Sequence, residues 1–336
     1  RAIPAPFPAT CGQAGAASVE AYYASTLAAI PAGRAKDAGI AVGRAAAAAI
    51  LARRSADGSD TQLADNTFPQ GTRPGQWRFT PDRPFAFAPG WGTVKPFVLK
   101  DAAQFLPGPP PALTGRRYAR DVAEVKRLGG DGVTTPSART AQQTQTALFW
   151  LQSSPLVWNQ VARSALASRH LDLWEQARLF GLLNMALADG YIASFTTKYH
   201  YRFWRPVTAI RLAGSDGNPR THPDPTWTPL ATTPPIPDYE SAHTVEGDAA
   251  AAVLRGVLGT DRVDFSICSY TLPAGSTCTD AHPVMRHYTS LSRAAWDNGE
   301  SRIYIGFHFR TAVEKGHAMG KSVGRLAVRE AMEPLS

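Results

Sequence analysis

Lys198-Tyr199-His200-Tyr201-Arg202-Phe203-Trp204-Arg205-Pro206 sets two cations seven residues apart among aromatic rings, with a proline directly after the second. On an α-helix of about 3.6 residues per turn, seven positions return a side chain to within about 20° of the same face. Pro206 disfavours α conformation at Arg205, so that guanidinium is expected to leave from a helix end. Two cations aimed one way call for an anion. Taken alone, the stretch reads sooner as a solvated basic helix end; two later segments reverse that reading.

At 336 residues the chain has room for one large domain or two moderate ones. A hydrophobic content of 44% and a charged content of 18% describe a globular chain, not a disordered one. The formal charge of +8 would suit an anionic partner. Its basic residues are scattered, however, and no helix-turn-helix, RNP or zinc-finger pattern appears, which argues against nucleic acid. No eighteen consecutive residues are apolar, so no membrane span is expected. The Ala-rich run 45–52, bounded by Arg44, Arg53 and Arg54, reads as a core helix. Cys268 and Cys278 lie in a loop rich in Gly, Pro, Ser and Thr, placed either to close a small disulfide or to remain two free thiols. Cys11 has no evident partner, and no CxxC pattern supports a metal site. A disulfide, together with a first residue other than Met that fits a removed leader, sets the expectation of a secreted or periplasmic protein.

Residues 17–54 read as two helices broken at Pro31-Ala32-Gly33, with Leu27, Ile30, Ile40 and Ile50 inward. Residues 56–116 carry ten prolines. Their aromatics (Trp77, Phe79, Phe85, Phe87, Trp91, Phe97) argue that this long connection wraps the surface. Helical patterns follow at 121–128, 140–151, 157–168 and 172–201. In the last, Leu179, Leu182, Leu183 and Ala186 keep a helical spacing. Asp189 interrupts this stripe, either as a solvent-facing break or as a partner for a site cation. A second loop, 214–240, has seven prolines and runs straight into Ser241-Ala242-His243. A helix through 249–258 and a last helical region over 286–332 complete the chain. With little strand alternation and no repeat, the expectation is an all-α helical bundle with long Pro-rich wrapping loops. It forms one large helical domain over 1–336, in which residues up to about 170 are scaffold and 171–336 carry the site.

Ser241 sits where a loop becomes a helix, a good N-cap position. It is either simply a cap, with His243 a bystander, or part of an oxyanion site built on first-turn N–H groups. Ser301-Arg302-Ile303-Tyr304-Ile305-Gly306-Phe307-His308 adds a third cation and a second histidine. Six residues apart is not a same-face spacing, so Arg302 is expected in an approach turn ahead of the helix. Alone, His308 reads as a packed core histidine. In combination, the three segments resemble the signature of the vanadium-dependent haloperoxidases and the type 2 phosphatidic-acid phosphatase superfamily: Lys-x6-Arg-Pro, Pro-Ser-Gly-His and Ser-Arg-x5-His-x3-Asp. Here they stand as Lys198…Arg205-Pro206, Glu240-Ser241-Ala242-His243 and Ser301-Arg302…His308…Ala312. The order and the spacing within each segment fit, and 198–211 and 303–310 look like the soluble bacterial members. Three positions depart. Glu240 stands for proline, Ala242 for glycine, where the methyl group narrows the anion's approach, and Ala312 for the aspartate that would orient His308.

The resemblance implies two four-helix-bundle-like halves with the site at one end of the second, and pairing into a homodimer. It implies vanadate(V) as cofactor, with phosphate able to take its place. His308 Nε2 would be the axial ligand, and Lys198, Arg205 and Arg302 would neutralise the oxygens. Ser241 and a backbone N–H near Ala242 would add hydrogen bonds. His243 would move protons while Lys198 polarises hydrogen peroxide for attack by halide (bromide or chloride), giving hypohalous acid or a halogenated small organic substrate. Phe195, Ile236 and His200 are candidates for the pocket wall. The runner-up is a phosphomonoester hydrolase with His308 as nucleophile and His243 protonating the leaving group. The missing aspartate at 312 counts against it. A non-catalytic oxyanion-binding protein is the third alternative.

Overall fold

In the computed structural model, residues 9–167 and 169–333 are described, with side chains from residue 15 onward, so Cys11 lies outside them. The chain divides into two compact units, Arg1–Asp57 and Gly58–Ser336. The first unit holds α1 (Ala9–Ala28) and α2 (Arg34–Arg54). Lys36 Nζ donates to the carbonyls of Leu27 and Ile30, closing the end of α1. Contrary to the expected inward face, Ile30 and Ile50 are exposed and Leu27 and Ile40 only half-buried. The 45–52 run is likewise no core helix, since α2 buries no residue. Alanine offers too little side chain to build an interior between two helices alone.

The second unit is mainly helical. α3 (Arg116–Leu128), α4 (Ala141–Phe149), α5 (Ser154–Leu166), α6 (Leu173–Tyr201), α7 (Pro206–Arg211), α8 (Ala242–Leu258), α9 (Leu291–Tyr304) and α10 (Arg310–Glu330) follow in order. Two small antiparallel pairs accompany them: β1 (Ala64–Asp65) with β2 (Ala86–Phe87), and β3 (Arg262–Ile267) with β4 (Arg286–Ser290). β3 alternates burial at Val263, Phe265 and Ile267, and the loop between β3 and β4 is closed by the Cys268–Cys278 disulfide.

α6 starts at a capping box, Asp172 with Glu175. Its length and apolarity suffice to cross a membrane. In this unit it runs largely buried, with Leu179, Leu182, Leu183 and Ala186 in the main core. α8 lies beside it, packed also on α5, α9 and α10. The α8–α10 approach depends on Gly316, Gly320 and Gly324, spaced four apart on one face of α10. A Cβ at Gly320 would stand 2.8 Å from Asp248 Cβ and press on the Val245 carbonyl; at Gly324 it would stand 2.7 Å from Ala252 Cβ. Only bare backbone lets the helices come this near.

The connection before α3 wraps α6 as expected. Thr196 Oγ1 donates to the Gly92 carbonyl (2.9 Å), Tyr199 Oη to that of Phe87 (2.6 Å), and Trp77 N–H to that of Arg202 (2.7 Å). Asp189, a candidate partner for a site cation, takes part in this wrapping. Its carboxylate accepts the backbone N–H groups of Phe97 (2.6 Å), Val98 (2.7 Å) and Leu99 (2.9 Å).

Candidate oxyanion site

Lys198 lies in the last turn of α6, but α6 stops three residues later, where Arg202 takes a left-handed conformation (φ 46°). The single-helix argument for Lys198 and Arg205 therefore fails. The two meet because the chain turns and Arg205, extended at φ −77° and ψ 155°, precedes Pro206 at the start of α7. That placement of Arg205 at a helix boundary follows from the proline. Arg302 also differs from expectation: it sits in the last turn of α9, and His308 in the turn before α10. Gly306, at φ 85°, reverses the chain, and the N–H groups of Phe307 and His308 both return to the Arg302 carbonyl. A left-handed turn thus brings together two residues that a straight helix would separate.

Lys198, Arg205, Arg302 and His308 are all buried. Lys198 Nζ donates to the carbonyls of Pro237 (3.0 Å), Asp238 (3.0 Å) and Glu240, so its three protons hold the loop that leads into α8. Arg205 Nε donates to the Ile236 carbonyl (2.6 Å), and Nη1 to that of Phe307 (3.0 Å). Nη1 also lies 2.9 Å from His308 Nε2 and 3.4 Å from its Nδ1, while Arg205 Nη2 is buried with no hydrogen-bond partner among the described residues. Arg302 donates through Nε to Ser301 Oγ (2.9 Å) and through Nη2 to the Trp150 carbonyl (2.8 Å).

Ser241 is the N-cap of α8 by position. Its Oγ accepts from Thr244 Oγ1 (2.8 Å) instead of capping a backbone N–H, which leaves its own proton to give. Ala242 opens the helix, so its N–H has no intrahelical acceptor. His243 Nε2 lies 3.3 Å from the Gln152 carbonyl. Ile236 and Phe195 share a small apolar cluster with Ala88 and the wrapping-loop aromatics Phe87 and Trp91. His200 is no part of it: it is exposed and meets Tyr201 edge to face.

Sequence reasoning missed Asp238. Its Oδ1 lies 2.9 Å from His308 Nδ1, and both groups are buried. Ala312, at the position that the motif resemblance gives to aspartate, is packed with Tyr118, Trp204 and Phe309. Glu314 pairs with Arg117 at the surface (2.6 Å) and does not reach His308.

Burial and mutual repulsion set the charges. Lys198 is pulled down to about 7 by desolvation and by Arg205. Arg302 is pulled down to about 9 and Arg205 to about 10, chiefly by burial. His243 falls to about 3 through burial and the Arg302 charge, and His308 is held well below its usual range by burial and Arg205. Burial raises Asp238 and Glu240 to about 7 against the pull of the same cations. Each of the cations would be relieved by an anion placed among them.

A buried cluster of three cations around a histidine, in a mainly helical unit, has the charge that suits an oxyanion. Residues 178–336 match the family model of the VCPO second helical-bundle domain. Vanadium chloroperoxidase of Curvularia inaequalis is 26% identical over 289 residues, 68% of this chain and 47% of that protein. The chain spans about half the length of this curated relative. The crystal structure of the first bacterial vanadium-dependent iodoperoxidase superposes with a TM-score of 0.64 at 30% identity, over 79% of this chain and 63% of that one. A holo-type bacterial vanadium-dependent chloroperoxidase gives 0.67 at 19% identity, over 86% and 71%. The chain is thus similar to vanadium haloperoxidases in sequence and in fold, with its residues 178–336 matching their second helical-bundle domain.

Proposed function

We propose that this protein is a vanadate-dependent haloperoxidase that oxidises bromide or chloride with hydrogen peroxide, to hypohalous acid or a halogenated small organic substrate. The observation that carries the reading is the donor set. Three buried cations converge on His308, and Arg205 Nη2 is a buried donor without a partner. Such a set fits a multiply charged oxyanion. Arg205, Arg302 and the Ala242 N–H would hold its oxygens, with Ser241 donating its free proton, and His308 Nε2 would be the ligand atom. When bound, vanadate supplies the Lewis acid that activates hydrogen peroxide toward halide.

The remaining work falls to the chain's own groups. Lys198 fixes the 237–240 backbone beneath the site and keeps a positive charge beside it. His243 is positioned to move protons, because an anion opposite Arg302 would raise its basicity. Phe195 and Ile236 give the apolar wall that keeps water out. A secreted homodimer belongs to the same proposal. In the test, His308→Ala is expected to abolish vanadate retention in equilibrium dialysis; retention at the wild-type level would refute the assignment.

Asp238 favours a second reading. The absence of aspartate at 312 spoke against a nucleophilic His308, but a carboxylate reaches that histidine from another segment. A phosphomonoesterase with His308 as nucleophile therefore stands as the alternative. Turnover of p-nitrophenyl phosphate far above any halogenation would establish it.

A further inference from the structure

Ala312 carries no group that could orient His308, yet a guanidinium and a carboxylate both lie against the ring. Arg205 Nη1 lies 2.9 Å from Nε2 and 3.4 Å from Nδ1, so this guanidinium, a donor only, meets the ring without selecting one nitrogen. Asp238 Oδ1 lies 2.9 Å from Nδ1 and is a buried acceptor with no other hydrogen-bond partner among the described residues, so a proton on Nδ1 to meet it leaves the lone pair of a neutral imidazole on Nε2. The backbone that carries this carboxylate is fixed on both sides. The Asp238 N–H donates to the Phe203 carbonyl (2.9 Å), and its carbonyl accepts from Lys198 Nζ (3.0 Å).

We infer that Asp238 is the positioning residue for His308, a carboxylate supplied from the loop before α8 in place of one on α10. It sets the tautomer that presents Nε2 as the ligand atom and raises the basicity of that nitrogen. The inference rests on the vanadate reading only for its consequence in affinity; the tautomer is a property of the free protein. Partners of ligating histidines of this kind are worth 10- to 100-fold in affinity, roughly, when removed.

The test uses Asp238→Asn, which keeps size and an acceptor oxygen, and Asp238→Ala, which keeps neither. Two readouts are taken on the whole chain. The first is the ¹⁵N shifts of the His308 ring without any anion. Wild type is expected to show a protonated Nδ1 and a bare Nε2, Asp238→Ala to lose that single tautomer, and Asp238→Asn to keep most of it. The second is the dissociation constant for orthovanadate beside that for inorganic phosphate, by equilibrium dialysis. A ligand bond to Nε2 is open to vanadate, whereas phosphate is held by the cations alone. Asp238→Ala should therefore weaken vanadate about 10- to 100-fold and phosphate far less. Equal loss for both anions, or an unchanged tautomer in Asp238→Ala, would overturn the inference. A wild type that binds neither anion while its tautomer depends on Asp238 would refute the vanadate reading and leave the role of Asp238 standing.

Discussion

Gly320→Ala tests whether α8 and α10 really meet backbone to backbone. The new methyl would stand 2.8 Å from Asp248 Cβ and 3.0 Å from the Val245 carbonyl carbon. Carbon atoms pack at about 3.5–4.0 Å, so the helices must part by roughly 1 Å at this crossing. Overpacking of that kind costs about 1–3 kcal/mol. Replacing a helical glycine by alanine returns about 1 kcal/mol. The rigid Val245 carbonyl oxygen stands closer still and puts the overpacking cost in the upper half of its range, so the net expectation is a loss of roughly 1–2 kcal/mol, or about 2–8 °C in the melting of the larger unit. Gly43 on α2 meets nothing within 4 Å, so Gly43→Ala should act in the opposite sense. Gly316→Ala would meet Thr244 Cβ at 2.9 Å and the Ser241 carbonyl at 3.0 Å. It should disturb the start of α8, and with it anion affinity, more than stability. Thermal unfolding followed by circular dichroism measures all three. A Gly320→Ala protein as stable as wild type would show that the helices do not pack this closely.

Glu246 is buried, and burial raises its carboxyl to about 8 from an ordinary 4.5. The folded state then binds more protons than the unfolded state between those values, so stability falls as pH rises through them. Glu246→Gln should flatten that decline between pH 5 and 8, by at most about 5 kcal/mol, as measured by urea unfolding; an unchanged slope would rule this out. His243 should titrate near 3 in the free protein and higher with phosphate bound, since the anion offsets Arg302; an NMR titration that shows no rise would refute the anion's placement. Asp189→Ala strands three backbone N–H groups and should cost on the order of 3 kcal/mol with vanadate affinity intact. Lost affinity at unchanged stability would return Asp189 to the site.

Much of the site was legible because its chemistry fixes spacing. Lys198, Arg205, Ser241, His243, Arg302 and His308 stand in three short segments, and the fold brings the cations and histidines within electrostatic reach of one another. Local geometry was harder to read. The position of Arg302 in a helix and of His308 in a turn depends on the left-handed Gly306. Asp238 was visible as a residue but not as a partner, because its histidine lies seventy positions away and only the fold joins them. The same holds for Asp189, whose three N–H partners come from a loop some ninety residues earlier. Two signals were present and unused. The Gly316, Gly320, Gly324 spacing marks a close helix contact, and the alternation of Val263, Phe265 and Ile267 marks a strand. The first two helices misled because an Ala-rich pattern forms a helix readily without giving it anything to bury.

The most direct test of the central claim is halogenation by chelator-stripped protein, with peroxide and bromide, before and after addition of orthovanadate. Monochlorodimedone bromination that appears only with vanadate, and is absent from His308→Ala, is the result predicted. No bromination in either state, together with phosphate-ester hydrolysis inhibited by vanadate, would contradict it.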